Sequence, residues 1–238
     1  MITETEINQY GCTAEDSSFE VLRQNGLMWY PWVGKHYPAA PVKVWVIAES
    51  HYVNHSGANY QAARHPLYTR RVVAERLFPQ YFWPNQTLDK INQTLAGHPV
   101  PANKTHLLWE NAAFSNLIQR PMNSSKERPN EDDIAKGWSV FSPLLDILKP
   151  DFCLFVGLAG TNRLDTLPAA LRITAPKWTQ DKIGNAYARE TFTVSTKNHH
   201  AQAAVIGHPG RCFNAQKWHE WLKSNLPSAA DWLQQKVQ

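Results

Sequence analysis

Val205-Ile206-Gly207-His208-Pro209-Gly210-Arg211 is a short apolar run that breaks into a turn carrying a histidine. It reads as a buried strand delivering a side chain to a rigid loop. Proline fixes its own φ, and glycine lets the backbone come close to a ligand. Taken alone, the turn is an ordinary strand-to-helix connection. Its meaning comes from an upstream counterpart, Val44-Trp45-Val46-Ile47-Ala48-Glu49-Ser50-His51-Tyr52, where a second apolar run ends in a carboxylate.

The totals frame these two runs. The chain has 238 residues, which suits one large domain over residues 1–238. A hydrophobic content of 43% supports a full core. The net charge of +4 mildly favours a polyanionic partner. Cys12, Cys153 and Cys212 are widely spaced; they fit neither a disulfide framework nor a metal-cluster pattern and suit a reducing, cytoplasmic setting. The first 18 residues are polar and acidic, unlike a signal peptide, and read as a loosely ordered tail. No apolar run approaches a membrane span, so no membrane partner is expected. Ten tryptophans are mostly packing residues, although aromatics in a basic protein also stack on bases.

Four core strands are expected, ending near Glu49, Asn116, Gly157 and His208. Val42 to Ala48 is nearly continuous in apolar residues, as a strand buried on both faces should be. Asp151 to Gly157 is the clearest strand, with a helix expected from Ala159. Phe192 to Ser195 alternates and reads as an extra strand. Helices are predicted over Phe19–Met28, Leu67–Phe78, Thr87–Leu95 and Asn214–Asn225, with a short one around Asp231. Asn130 caps another, with Glu131, Asp132 and Asp133 complementing the helix dipole and Ile134, Trp138, Phe141, Leu145 and Leu148 at helical spacing. Trp29 to Gly34 reads as an aromatic loop lidding the core, and Glu49 to Ala62 as a polar loop. Strands alternating with helices predict an α/β fold, a three-layer α/β/α sandwich around a mainly parallel four-stranded sheet. Ligands in such folds sit at the carboxyl ends of the strands, which gathers Glu49, Asn116 and His208 around one cleft.

This arrangement resembles the uracil-DNA glycosylase superfamily. The middle block carries most of the likeness: Phe114-Ser115-Asn116-Leu117-Ile118-Gln119-Arg120-Pro121, then Arg128-Pro129, an acidic helix start, Leu148-Lys149-Pro150-Asp151 and the Val156-Gly157 strand end. That order is similar to the branch whose members usually carry an iron–sulfur cluster. There the first motif is Gly-Glu-Ala-Pro-Gly and the last His-Pro-Ser; here they stand as Ala48-Glu49-Ser50-His51-Tyr52 and His208-Pro209-Gly210. The likeness spans roughly residues 42–225. It departs in the cluster cysteines, which are absent, in Ala48 for a glycine and in His51 for a proline. Tyr52 falls where the Gly-Gln-Asp-Pro-Tyr-His branch has the tyrosine that screens the base C5 position, and in that register the catalytic aspartate falls on Ser50.

The resemblance implies a hydrolase that removes a flipped-out pyrimidine from DNA and leaves an abasic site, with uracil as the default base and a modified pyrimidine open. Glu49 would hold water and stabilise the sugar cation. His208 would donate a hydrogen bond to the base carbonyl as charge grows there. Asn116 would read a pyrimidine edge. Ser50, His51, Tyr52 and Tyr60 are base-binding candidates, the tyrosines by stacking or simply as packing residues. Gly210, Arg211, Arg64, Arg70 and Arg71 are expected at the DNA backbone, although arginines on a helix also form solvated faces. No cofactor or metal cluster is expected, the partner is DNA, and the state is monomeric. Two other classes stay open. One is a non-catalytic nucleic-acid-binding or interaction module on the same fold. The other is a metal-dependent hydrolase using His51, His55 and His199-His200. Gly157-Leu158-Ala159-Gly160 lacks the third glycine of a dinucleotide fingerprint and reads as a strand-to-helix turn.

Overall fold

The computed structural model describes residues 2–81, 86–124, 126–157, 167–174, 177–184, 186–210 and 212–238. Helices α1 (Glu4–Tyr10) and α2 (Asp16–Arg23) precede the two-residue strand β1 (Trp32–Val33) and strand β2 (Val44–Ala48). Then come α3 (Asn59–Ala63), α4 (Tyr68–Ala74), α5 (Gln86–Ala96), α6 (Thr105–Trp109), β3 (Ala112–Asn116), α7 (Glu131–Leu148) and β4 (Phe152–Val156). The chain continues through β5 (Arg172–Ile173), β6 (Trp178–Ile183), β7 (Ala186–Arg189), β8 (Phe192–Ser195) and β9 (His200–Ile206), and closes with α8 (Ala215–Asn225) and α9 (Pro227–Val237).

The fold is mixed α/β around a sheet of order β1-β3-β2-β4-β9-β8-β5. Its centre, β3-β2-β4-β9, is parallel throughout. Among the described residues the sheet therefore has seven strands where four are expected; β1, β8 and β5 extend it by antiparallel pairing. The central strands are readable because both faces are covered. Val44 and Val46 belong to a cluster with Leu88 and Ile91 of α5 and Trp218 and Leu222 of α8, while Trp45 and Ile47 belong to one with Trp138, Phe141 and Leu145 of α7. The Trp45 indole lies flat on Phe141, with centroids 4.8 Å apart, and donates to Ser115 Oγ at 3.0 Å.

Several local expectations are corrected. Residues 1–18 are largely helical: Thr3 and Glu6 form a capping box at the start of α1, Ile7 is buried, and Asp16 opens α2. Trp29 to Gly34 contains an edge strand where a loop is expected, with Trp32 opposite Phe114, and its Trp29, Trp32 and Val33 are buried against the core. The polar stretch after Glu49 ends in α3. The strand expected to end near Asn116 is β3, and a short helix, α6, precedes it. The helix expected from Ala159, and Leu158 to Gly160 of the glycine-bearing turn, lie outside the described residues. The Asn130 cap is a full capping box with Asp133, and α7 ends at Lys149 in the left-handed region (φ 47°).

Strand order fixes where a site can form. From β2 the chain moves to β3 on one side, then crosses back to β4 and β9 on the other. The direction reverses at β2, and a crevice opens at the carboxyl end of such a switch strand. Glu49 is the first residue beyond that end. Among the described residues no helix is long and apolar enough to cross a membrane.

Candidate active site

A cavity of about 320 Å³ opens at the carboxyl ends of the parallel strands. Glu49, Ser50, His51, Tyr52, Asn116 and His208 all line it. Two register facts bring them together. Ala48 pairs with Asn116, so Glu49 rises beside Asn116. Val156 pairs with Ile206, so His208 follows β9 on the far side of β4. β2 and β9 are both neighbours of β4, which puts their ends about 10 Å apart, two inter-strand spacings.

The loop after β2 is zipped to the segment after β3. Leu117 N–H donates to the Ala48 carbonyl, Ile118 to Glu49, Met122 to His51, and Val53 back to Met122, at 2.8–2.9 Å. The acidic loop is thus held by backbone bonds. Tyr52 Oη donates to Glu49 Oε2. Burial first, then that bond, raises the Tyr52 pKa, so the phenol stays protonated and remains a donor. Ser50 Oγ donates to the Arg120 carbonyl at 2.6 Å, and the Arg120 guanidinium binds Asp133 and Glu127. Ser50 is therefore an anchor of the loop at the cavity wall.

His51 is enclosed by the edges of Trp29 and Tyr68, with Nε2 at 2.8 Å from Thr69 Oγ1. Burial lowers its pKa to about 3, so the ring is neutral. Asn116 is buried, and its Nδ2 has no hydrogen-bond partner. An unpaired buried amide costs free energy, and this one belongs to a residue that lines the cavity. Its backbone is steadied by Gln119, whose Nε2 donates to the Asn116 carbonyl at 2.7 Å.

His208 remains exposed through the cavity mouth. Desolvation is the largest influence on its pKa and lowers it; Glu49 pulls upward, and Arg128 and Lys90 push downward. The balance favours a neutral imidazole, which still has one N–H to donate. Lys90 of α5 carries no sequence signal that marks it. Its Nζ donates to the Gly210 carbonyl at 2.5 Å and holds the turn after His208. Phe114 and Tyr68 also line the cavity and are missed by the sequence reading. Phe114 lies two residues before Asn116 on β3, so strand alternation puts both on one face, a signal present in the sequence.

The remaining candidates sit elsewhere. Tyr60 does not line the cavity; it packs on His55, with centroids 4.5 Å apart, and under the Arg64 guanidinium at 5.9 Å, which corrects the base-stacking expectation. Arg64 itself is exposed. Arg70 is 3% exposed and pairs with Asp16, its Nε donating to the Pro31 carbonyl at 2.9 Å. It cannot reach a phosphate, and its placement on the DNA face is corrected. Arg71 is half-buried with an unpaired Nε. The Gly210 N–H is taken by the His208 carbonyl at 2.6 Å, and Arg211 lies outside the described residues.

The histidines do not converge as metal ligands. His55 Nε2 is bound to the Pro121 carbonyl and His199 Nε2 to the Pro150 carbonyl. His200 opens β9 and His208 lies beyond its far end, roughly 20 Å away along an extended strand. Among the described residues no group of three His, Cys, Asp or Glu side chains is placed to hold a metal ion. No protein-family model matches the chain, and no curated protein shows significant similarity to it.

Proposed function

We propose that this chain is a DNA glycosylase that hydrolyses the N-glycosidic bond of a flipped-out pyrimidine, uracil or a modified base, and leaves an abasic site. The observation that carries the reading is a carboxylate, a neutral histidine and a buried asparagine lining one small cavity, the first two beyond the ends of strands that flank β4. The reading includes a three-layer α/β/α architecture with the four parallel strands at its centre, as the resemblance to the uracil-DNA glycosylase superfamily implies.

The chemistry follows from the two charges that bond cleavage creates. As the C1′–N1 bond breaks, its electron pair leaves with the base and the sugar becomes an oxocarbenium ion. The Glu49 carboxylate stabilises that cation and takes a proton from the water that adds to C1′. Tyr52 fixes which way the carboxylate points. On the other side, His208 donates to the pyrimidine carbonyl as negative charge develops, with Lys90 and Arg128 adding positive field there. The free base anion then takes up a proton from solvent. Asn116 Nδ2 supplies a donor for a carbonyl of the base, and Phe114 and Tyr68 give the cavity aromatic walls. At about 320 Å³ the space is at the small end for ligand cavities, which run to about 1,000 Å³, and suits a single ring. Extruding the base costs a few kcal/mol, least for a mispaired or damaged one.

The test is incubation with oligonucleotides carrying a panel of pyrimidines, followed by alkaline cleavage of abasic sites. Strand breaks at one or a few of the modified positions are expected. Tight DNA binding with no excision of any base would replace this reading with the non-catalytic module.

A further inference from the structure

The two-stranded ribbon β6–β7 stands apart from the main sheet and presents two different faces. Ile183 and Ala188 are buried in the core cluster beneath it. Trp178 and Tyr187 point outward at 56% and 52% exposure, and the chain's other large hydrophobic side chain exposed among the described residues is Val21. Each aromatic is paired across the ribbon with a cation. Trp178 lies opposite Arg189, whose guanidinium is 4.1 Å from the indole centroid; Tyr187 lies opposite Lys182, whose Nζ is 6.0 Å from the phenol ring. Tyr187 and Arg189 are two residues apart on one strand and share a face. Arg189 is buried beneath the indole, 4% exposed, so the exposed charges of the ribbon are Lys177 and Lys182 beside the rings, with Asp181 in the irregular stretch between the Trp178 and Lys182 pairs and Glu190 after β7.

The ribbon also leans on the proposed site. Gly184, at its turn (φ +61°), comes so near the Cys212 carbonyl that a Cβ would sit 2.6 Å from it. Ile183, Ala186 and His208 line a common cavity of about 330 Å³. The ribbon is thus seated on the loop that carries His208.

We infer that the outer face of β6–β7 is a stacking platform for unpaired bases of single-stranded DNA flanking the nucleotide in the cavity. Exposed rings with the exposed lysines Lys177 and Lys182 beside them match what such strands offer: flat π-faces joined by phosphates. The inference rests on the glycosylase reading for the identity of the polymer, and it assigns the enzyme a preference for single strands or locally opened duplex.

The experiment is fluorescence anisotropy of the full chain with a labelled single-stranded 15-mer and with its duplex. Trp178→Ala and Tyr187→Ala should each weaken single-strand binding on the order of 10-fold, the usual scale for a stacked ring, and duplex binding much less. Trp178→Phe and Tyr187→Phe should restore most of it. Should Trp178→Ala disturb the ribbon by uncovering Arg189, Tyr187→Ala and the two Phe variants carry the test alone. Wild-type affinity in Tyr187→Ala, or no single-strand binding by the wild type, overturns the inference. Excision at saturating protein separates the two proposals. Ribbon variants keep the saturated rate if both hold. Ring-dependent binding without excision sinks only the glycosylase reading, and excision with ring-independent binding sinks only this one.

Discussion

The Tyr52 hydroxyl donates a hydrogen bond to Oε2 of Glu49, three residues earlier in the loop that leaves β2. Both side chains line the same cavity. The ring cast by the family resemblance as a screen at the base C5 position is therefore tied through its hydroxyl to the carboxylate proposed to do the chemistry. A hydrogen bond to a charged group contributes about 1.5–3 kcal/mol and fixes a geometry that Glu49 alone would not hold.

Removing only the hydroxyl separates these roles. Tyr52→Phe should lower single-turnover excision on the order of 10-fold, the scale of that bond. DNA affinity and the range of bases accepted should stay as they are. Tyr52→Ala should in addition admit pyrimidines bulkier at C5. A Tyr52→Phe enzyme with wild-type rate would show that the bond does not serve the reaction.

Asn116 offers a test in which stability and activity move apart. Its buried Nδ2 is unpaired, at a cost of about 1–3 kcal/mol for such groups. Asn116→Leu has similar size and removes the orphan donor. Thermal stability should be unchanged or higher, and excision should fall on the order of 10²-fold, as when one transition-state donor is lost. A destabilised variant with normal excision would mean the amide serves the fold.

His51 predicts an acid sensitivity. Its pKa is about 3 in the folded chain and near the ordinary 6.5 when unfolded. Below pH 6.5 the unfolded state binds the extra proton first, so stability falls as pH drops and stops falling on this account near pH 3. The loss should be on the order of 1–2 kcal/mol by pH 5. His51→Gln keeps a polar partner for Thr69 and should flatten the thermal stability profile between pH 7 and 4. An equally steep profile in the variant would place the sensitivity elsewhere.

Arg70 shows why part of the molecule is unreadable from sequence. There it belongs to an arginine-bearing helix; its partner Asp16 lies 54 residues away and nothing local links them. Helix α1 and the start of α2 are missed for a related reason. They are polar, and they are ordered through a few anchors such as Ile7 and Phe19. The central strands are legible because burial on both faces leaves an unbroken apolar run, as in Val44 to Ala48. β1 and β5 have two residues each, too few to show a period. Glu49, Asn116 and His208 can be placed together because parallel strands share a carboxyl end. Lys90 cannot, since only the packing of α5 against the His208 loop brings it there.

The corrected role of Arg70 is itself testable. Arg70→Met should cost roughly 2 kcal/mol of stability, below the 3–5 kcal/mol of a fully buried pair because Asp16 is partly exposed. DNA binding should weaken steeply with salt in both proteins, with the same slope. A normally stable variant whose slope falls by one phosphate contact would return Arg70 to the DNA face.

The most direct measurement is single-turnover excision by Glu49→Gln and His208→Ala, on the best base found in the oligonucleotide panel, with DNA affinity measured alongside. Glu49→Gln keeps the shape and removes the charge; His208→Ala removes the donor. Both groups act mainly in the transition state, so each substitution should reduce the rate on the order of 10²-fold or more while affinity changes little. Near wild-type excision by both variants would contradict the assignment of catalysis to this pair.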